Sequence, residues 1–385
     1  MRLVGIDHGF PYIYHPDEPA VIRSALGIRF DPNPHHFDWP HLYFYLNYLS
    51  YMVFAKVRDL ASVAGLKPWL SQALPILWND NVIFYFVTRA LSAILGAVSV
   101  IPIYLWLKKL VSKNSGLISA AILALAPFHV RDSHYALLDV PMLFFLSWAL
   151  YFSTTSPALA GLFLGFATST KYNGILVAVF IVACLIKNRR KLTDYLKVGL
   201  FTIVGFILGT PYAVLDFKTF IRTDGPQGAL WQFTNVGRVG FVQHLQQFAD
   251  TLTQKLPDDL GYGVYIVFLF GFVTILGKLI RKRSVEFNLL ASALFFLLLV
   301  FYISGQERHP SHYYLIAYPF FIMVAGWATE TLLVKVRKKY AKALLALLII
   351  TPSFVLAVLN ISDLINKRSN RIYGGDKIVV NETTK

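Results

Sequence analysis

Apolar runs recur along the chain at intervals set by short polar segments. Four of them, at 261–277, 287–304, 313–334 and 341–359, carry at most one charged residue each. They reach the ~17–25 residues that cross a hydrocarbon core, so the pattern predicts spanning helices. Between the runs lie four basic clusters: Lys108, Lys109 and Lys113; 187–191; 278–283; and 335–342. They alternate with loops that carry acids, histidine and proline. With all four clusters on the cytoplasmic side, each successive pair encloses an even number of crossings. The stretch 82–107 then runs inward, 116–129 outward and 140–154 inward, and 157–186 crosses twice, which requires a break at Lys171 on the outer face. The chain goes out at 195–210, in at 261–277, out at 287–304, in at 313–334 and out at 341–359, about ten crossings in all.

The same parity sorts the chain into an outer first loop at 1–81, a transmembrane helical domain at 82–360 and a short tail at 361–385. The aromatic stretch 39–54 suits a helix lying in the interface, with a spanning helix as the alternative. Met1 falls on the outer side with no preceding helix to deliver it, so one more helix is expected before Leu3 in the full-length protein, about eleven in total.

Composition agrees with lipid as the solvent: 56% of the 385 residues are hydrophobic, and the mean hydropathy is +0.54. A net charge of +15 would otherwise point to nucleic acid, but its placement in loop clusters is explained by membrane orientation. Cys184 is the only cysteine, which excludes an intrachain disulfide and a cysteine-rich metal site. Residues 1–10 have neither the basic stretch nor the apolar core of a cleavable signal.

The chemically unusual residues collect in the outer loops. The first reads Tyr14-His15-Pro16-Asp17-Glu18-Pro19. Adjacent carboxylates near lipid are costly to ionise together, which would suit one of them as a base. Capping of a helix by Asp17, with Pro19 in the first turn, is the compatible structural alternative. His8, His15, His35, His36 and His41 share this loop, yet their spacing matches no known metal motif. No cofactor is expected, a divalent ion being the one addition these side chains would allow. The second outer loop holds Arg131, Asp132 and Asp139, where an Arg131–Asp132 pair and an Asp139 cap are the alternatives to site roles. Lys171 beside Tyr172 needs a partner, water or a snorkelling path at its depth, and it offers a point charge to a phosphate. Arg308 in the last outer loop offers the forked geometry that grips phosphate oxygens, or a salt bridge with Glu307. Acids together with cations at a lipid boundary fit a lipid-linked phosphate whose departure needs cationic stabilisation, with one base for an acceptor hydroxyl.

These residues, in order, resemble the GT-C membrane glycosyltransferases, in particular the protein O-mannosyltransferase-like group of glycosyltransferase family 39 and the lipid A aminoarabinose transferases. The resemblance rests on Tyr14 to Glu18, Asn33-Pro34 to Pro40, Arg89-Ala90-Leu91-Ser92, Asp139-Val140-Pro141, Thr170 to Gly174, Gly209-Thr210-Pro211-Tyr212, and Arg308-His309-Pro310 ahead of Tyr318-Pro319. It implies an all-α polytopic GT-C fold in the plasma membrane. It also implies inverting transfer of a sugar from a polyprenyl-phosphate donor to a protein, lipid or glycan hydroxyl on the non-cytoplasmic side. Carried over by position, Asp17, Glu18 and Asp139 are the catalytic carboxylates, while Lys171 and Arg308 meet the carrier phosphate. Arg131, His15 and Tyr172 complete the substrate-binding set. Against the resemblance, neither the family's first helix nor a soluble domain after the last one is expected within these 385 residues. A transporter or flippase would instead place ionisable groups near the bilayer midplane on broken helices. A non-catalytic membrane scaffold would assign these residues no chemistry.

Overall fold

The computed structural model describes residues 1–80, 82–234, 237–366 and 378–379. Among the described residues, six helices are long and apolar enough to cross a membrane: Ile83–Leu110, Leu192–Gly209, Tyr262–Ile280, Phe287–Ser304, Ser311–Lys335 and Lys339–Asn366. Four shorter apolar helices, Lys113–Leu125, Asp139–Ser153, Pro157–Thr170 and Tyr172–Lys187, stand where the charge pattern placed the remaining passes. The break within 157–186 is present. The first helix stops at Thr170, Lys171 is extended at φ −151° and ψ 129°, and a tight 3-10 turn, Tyr172–Val177, leads into Ala178–Lys187.

Local chemistry sets several helix ends. Ser156 accepts a hydrogen bond from the Leu159 N–H at 3.4 Å ahead of Pro157, and Ser112 accepts one from Ser115 at 3.0 Å, so each caps the helix that follows it. Small residues let helices meet backbone to backbone. A Cβ on Gly165 would run into the Thr202 carbonyl, and one on Gly205 into the carbonyl of Leu162. The Pro157–Thr170 and Leu192–Gly209 helices therefore pack at the close range that glycine permits. The rings of Trp106, Phe180, Phe295 and Phe320 interlock in the core, with Phe180 and Phe320 centroids 4.7 Å apart.

Two boundaries differ from the sequence reading. The aromatic segment of the first loop is a helix, Leu42–Val63, whose first half buries Tyr43, Phe44, Asn47 and Tyr51 while its second half is largely exposed. Its aromatic start is thus packed against the body and not laid only on an interface. The last helix runs to Asn366, because the apolar spacing Ile361, Leu364 continues past the point where polar residues begin. The rest of the expected tail lies outside the described residues, apart from Ile378–Val379, which pairs antiparallel with Tyr12–Ile13.

Candidate active site

The break after Thr170 fixes the central ion pair. Lys171 Nζ donates to both oxygens of Asp139, at 2.7 and 2.9 Å, and lies 4.4 Å from the centroid of the Tyr313 ring. Asp139 opens the Asp139–Ser153 helix, but Leu138 holds the cap position, so the Asp139 carboxylate is committed to the lysine and not to capping. An ammonium has three donors, and one carboxylate takes two of them.

Two cavities lie in this region, one of them lined by Lys171. One, of about 200 Å³, is bounded by Lys171, Tyr172 and Tyr313 with apolar walls from Trp39, Leu176 and Phe233. The other, of about 250 Å³, is polar and aromatic, formed by His15, Arg131, Asp132, Tyr135 and His312 among others. Consecutive residues His312 and Tyr313 face one cavity each, so the two share a wall. The Arg131 guanidinium stacks on Phe128 at 4.6 Å and forms no ion pair among the described residues, Asp132 included. Asp132 is buried, its Oδ2 has no hydrogen-bond partner among the described residues, and its carboxyl is pushed above the usual range first by burial and then by the Asp139 charge.

The remaining expected residues divide. Asp17 occupies the cap position of the Glu18–Gly27 helix, yet its side chain caps nothing and is 45% exposed, 4.0 Å from His15 Nδ1. The capping alternative therefore does not account for it. Glu18 is fully buried in a bidentate pair with Arg89, at 2.7 Å for both bonds, and its Oε1 also accepts the Ala136 N–H at 2.8 Å. That geometry makes Glu18 an anchor that ties the first loop to the Ile83–Leu110 helix and to the second loop. The Tyr172 hydroxyl donates to the Phe37 carbonyl at 2.8 Å, which places its ring, and not a free hydroxyl, toward the cavity. Arg308 is exposed, pairs with no acid among the described residues, and borders neither cavity.

Three further groups belong to this region. Arg89 entered the sequence reading only as part of a motif; its NH1 also donates to the carbonyls of Ile6 and His8, at 3.1 and 2.9 Å. Lys255 donates to the His309 carbonyl at 2.6 Å and sits 5.4 Å from the Tyr314 ring centroid. Asp259 is raised to about 6 by burial, against a hydrogen bond from Ser311. A helix start rich in acid, Pro257-Asp258-Asp259, was the only local signal for it. Among the described residues no group of three His, Cys, Asp or Glu side chains is placed to hold a metal ion. The His36 ring is instead engaged by Asp38 and, at 3.0 Å, by the Ser24 hydroxyl.

Comparison with known proteins agrees with this architecture. ArnT from Cupriavidus metallidurans matches with a TM-score of 0.58 at 12% identity, over 95% of this chain and 74% of that one. The same enzyme bound to undecaprenyl phosphate matches with a TM-score of 0.58 at 13% identity, over the same shares. The Archaeoglobus fulgidus oligosaccharyltransferase matches with a TM-score of 0.55 at 14% identity, over 94% of this chain and 55% of that one. The chain thus has the fold of the GT-C membrane glycosyltransferases and is an integral membrane protein. Within it, residues 41–215 match the family described as dolichyl-phosphate-mannose-protein mannosyltransferase. No curated protein matches the chain.

Proposed function

We propose that the chain transfers a sugar from a polyprenyl-phosphate carrier to a hydroxyl acceptor at the non-cytoplasmic face, with inversion at the anomeric carbon. The observation that carries this reading is the Lys171 ammonium, oriented by Asp139 on the wall of an apolar-lined cavity with one donor left over. A carrier whose isoprenoid end enters between Trp39, Leu176 and Phe233 presents its phosphate to that donor. In the step itself the bond from the anomeric carbon to the phosphate oxygen breaks as the bond to the acceptor oxygen forms. Lys171 stabilises the charge gathering on the departing phosphate, and the exposed Asp17 carboxylate takes the acceptor proton. Glu18 acts through structure: pinned by Arg89, it fixes the start of the helix that presents Asp17. The family match over 41–215, and the carriers bound by the structural neighbours, undecaprenyl phosphate in ArnT and a dolichol-phosphate in the archaeal enzyme, support the donor class.

The test is incubation of purified protein in lipid nanodiscs with a panel of polyprenyl phosphate sugars and hydroxyl acceptors, scoring which carrier is consumed. Asp17→Asn is expected to lower turnover by roughly 10²–10⁴-fold while carrier binding survives. Undiminished turnover in that variant removes Asp17 from the mechanism, and a panel left wholly unconsumed refutes the transfer.

A further inference from the structure

Near the end of the Ser311–Lys335 helix that is remote from Tyr313, a half-buried acid takes no part in the transfer mechanism above: Glu330. An ionisable group on a membrane helix is costly and calls for a partner. Ser112 Oγ donates to Glu330 Oε2 at 2.5 Å, and the Ser115 hydroxyl donates to the same oxygen. These hydroxyls orient the carboxylate without cancelling its charge, and Glu330 forms no ion pair among the described residues. Lys342, near the start of the Lys339–Asn366 helix, lines the same cavity of about 280 Å³ as Glu330, yet the two do not pair. Other lysines of this basic run are engaged elsewhere: Lys335 lies over the Phe270 ring at 6.0 Å, and Lys338 over the Tyr340 ring at 5.7 Å. Opposite charges that line one cavity and stay apart leave room for a group of the reverse polarity between them. Asn114 adds an amide to the wall, and Leu117, Ile118 and Val334 continue it as apolar surface, with Leu117 and Val334 exposed on the flank of the bundle.

We propose that this cavity holds the headgroup of a phospholipid with a primary ammonium, the chemistry of phosphatidylethanolamine. The ammonium donates to Glu330, the phosphodiester meets Lys342, and an acyl chain runs down Leu117, Ile118 and Val334. The order of charges selects the class. An anionic headgroup satisfies Lys342 but brings like charge toward Glu330, and a quaternary ammonium has no N–H to donate. A cavity of about 280 Å³ takes a headgroup and leaves the acyl chains in the bilayer. Its place beside the basic run 335–342 is where headgroups meet a membrane helix. The inference is independent of the sugar-transfer reading, because no residue near Lys171 or Asp17 takes part in it.

The experiment is native mass spectrometry of the full chain in detergent, titrated with phosphatidylethanolamine, phosphatidylcholine and phosphatidylglycerol of identical acyl chains. Wild type is expected to bind one phosphatidylethanolamine about tenfold more tightly than either of the others, the size of one hydrogen bond to a charged group. Glu330→Gln keeps an acceptor oxygen for Ser112 and Ser115 and removes only the charge, so it is expected to abolish the preference. Lys342→Ala, at an exposed position, is expected to weaken all three lipids while keeping phosphatidylethanolamine ahead of phosphatidylcholine. Should the glutamine variant not fold, N-methyl and N,N-dimethyl phosphatidylethanolamine decide on wild type: affinity that falls with each N–H removed supports the site, and unchanged affinity overturns it. Phosphatidylglycerol bound as tightly as phosphatidylethanolamine by wild type would show a basic surface only and overturn the assignment. So would a preference that survives in the glutamine variant.

Discussion

Removing Glu18 distinguishes an anchoring role from a chemical one. Arg89 lies in a membrane helix with no exposed surface, and its guanidinium gives two bonds of 2.7 Å to Glu18, two to backbone carbonyls of the first loop, and its face to Phe10 at 4.8 Å. Truncating Glu18→Ala leaves that cation buried with the two carbonyls only, and it also strips the Ala136 N–H of its acceptor. Breaking one side of a buried pair costs about 3–5 kcal/mol. The carbonyls that stay in place hold the arginine term toward the lower end, and the orphaned amide adds about 1 kcal/mol or more. A total near 4 kcal/mol is expected, enough to lower the unfolding midpoint by several degrees. The double variant Glu18→Leu with Arg89→Met removes both charges, and apolar replacement of a whole buried pair is often close to neutral. The assay is unfolding in detergent of wild type, the two singles and the double, read as a cycle whose coupling is expected to exceed 2 kcal/mol. A Glu18→Ala protein as stable as wild type but devoid of transfer would refute the anchoring argument and return Glu18 to the chemistry.

Three other perturbations test separate parts of the structure. Lys171→Ala is expected to weaken polyprenyl phosphate binding by about tenfold or more, since it removes the cation and leaves Asp139 facing the phosphate; titration with sugar-free carrier phosphate checks it. Asp259 has a folded pKa near 6, above the ordinary 3.8, so its burial lowers stability progressively as pH rises from about 4 to 6, and fully above that. Asp259→Asn is therefore expected to gain on the order of 2 kcal/mol at pH 8 and nothing at pH 4, as measured by unfolding at both values. Gly165→Val drives side-chain atoms into the Thr202 carbonyl and separates two helices, one of which ends at Lys171. It is expected to lower both stability and carrier affinity, where Gly199→Val, with open space around its Cα, changes neither.

Lys171 shows what could be read from one dimension and what could not. Its break was legible because charge parity is a global constraint: an even number of crossings had to fit between the basic clusters at 108–113 and 187–191, so 157–186 had to cross twice. Its partner was not legible, since Asp139 is 32 residues away and at the sequence level looked equally suited to cap its own helix. The same ambiguity resolved in opposite senses for the adjacent acids of the first loop. Asp17 and Glu18 share every local property, but the helical turn between them sends one carboxylate to the surface beside His15 and the other to Arg89, 71 residues on. A neighbouring pair of acids thus divides into an exposed carboxylate and one locked in a buried ion pair that fixes the helix start beside the first. The division follows from burial: two carboxylates ionised side by side near lipid repel, and a fully buried arginine relieves that by neutralising one of them. On the proposed transfer, Asp17 supplies the base and Lys171, oriented by Asp139, the cation that phosphate departure requires.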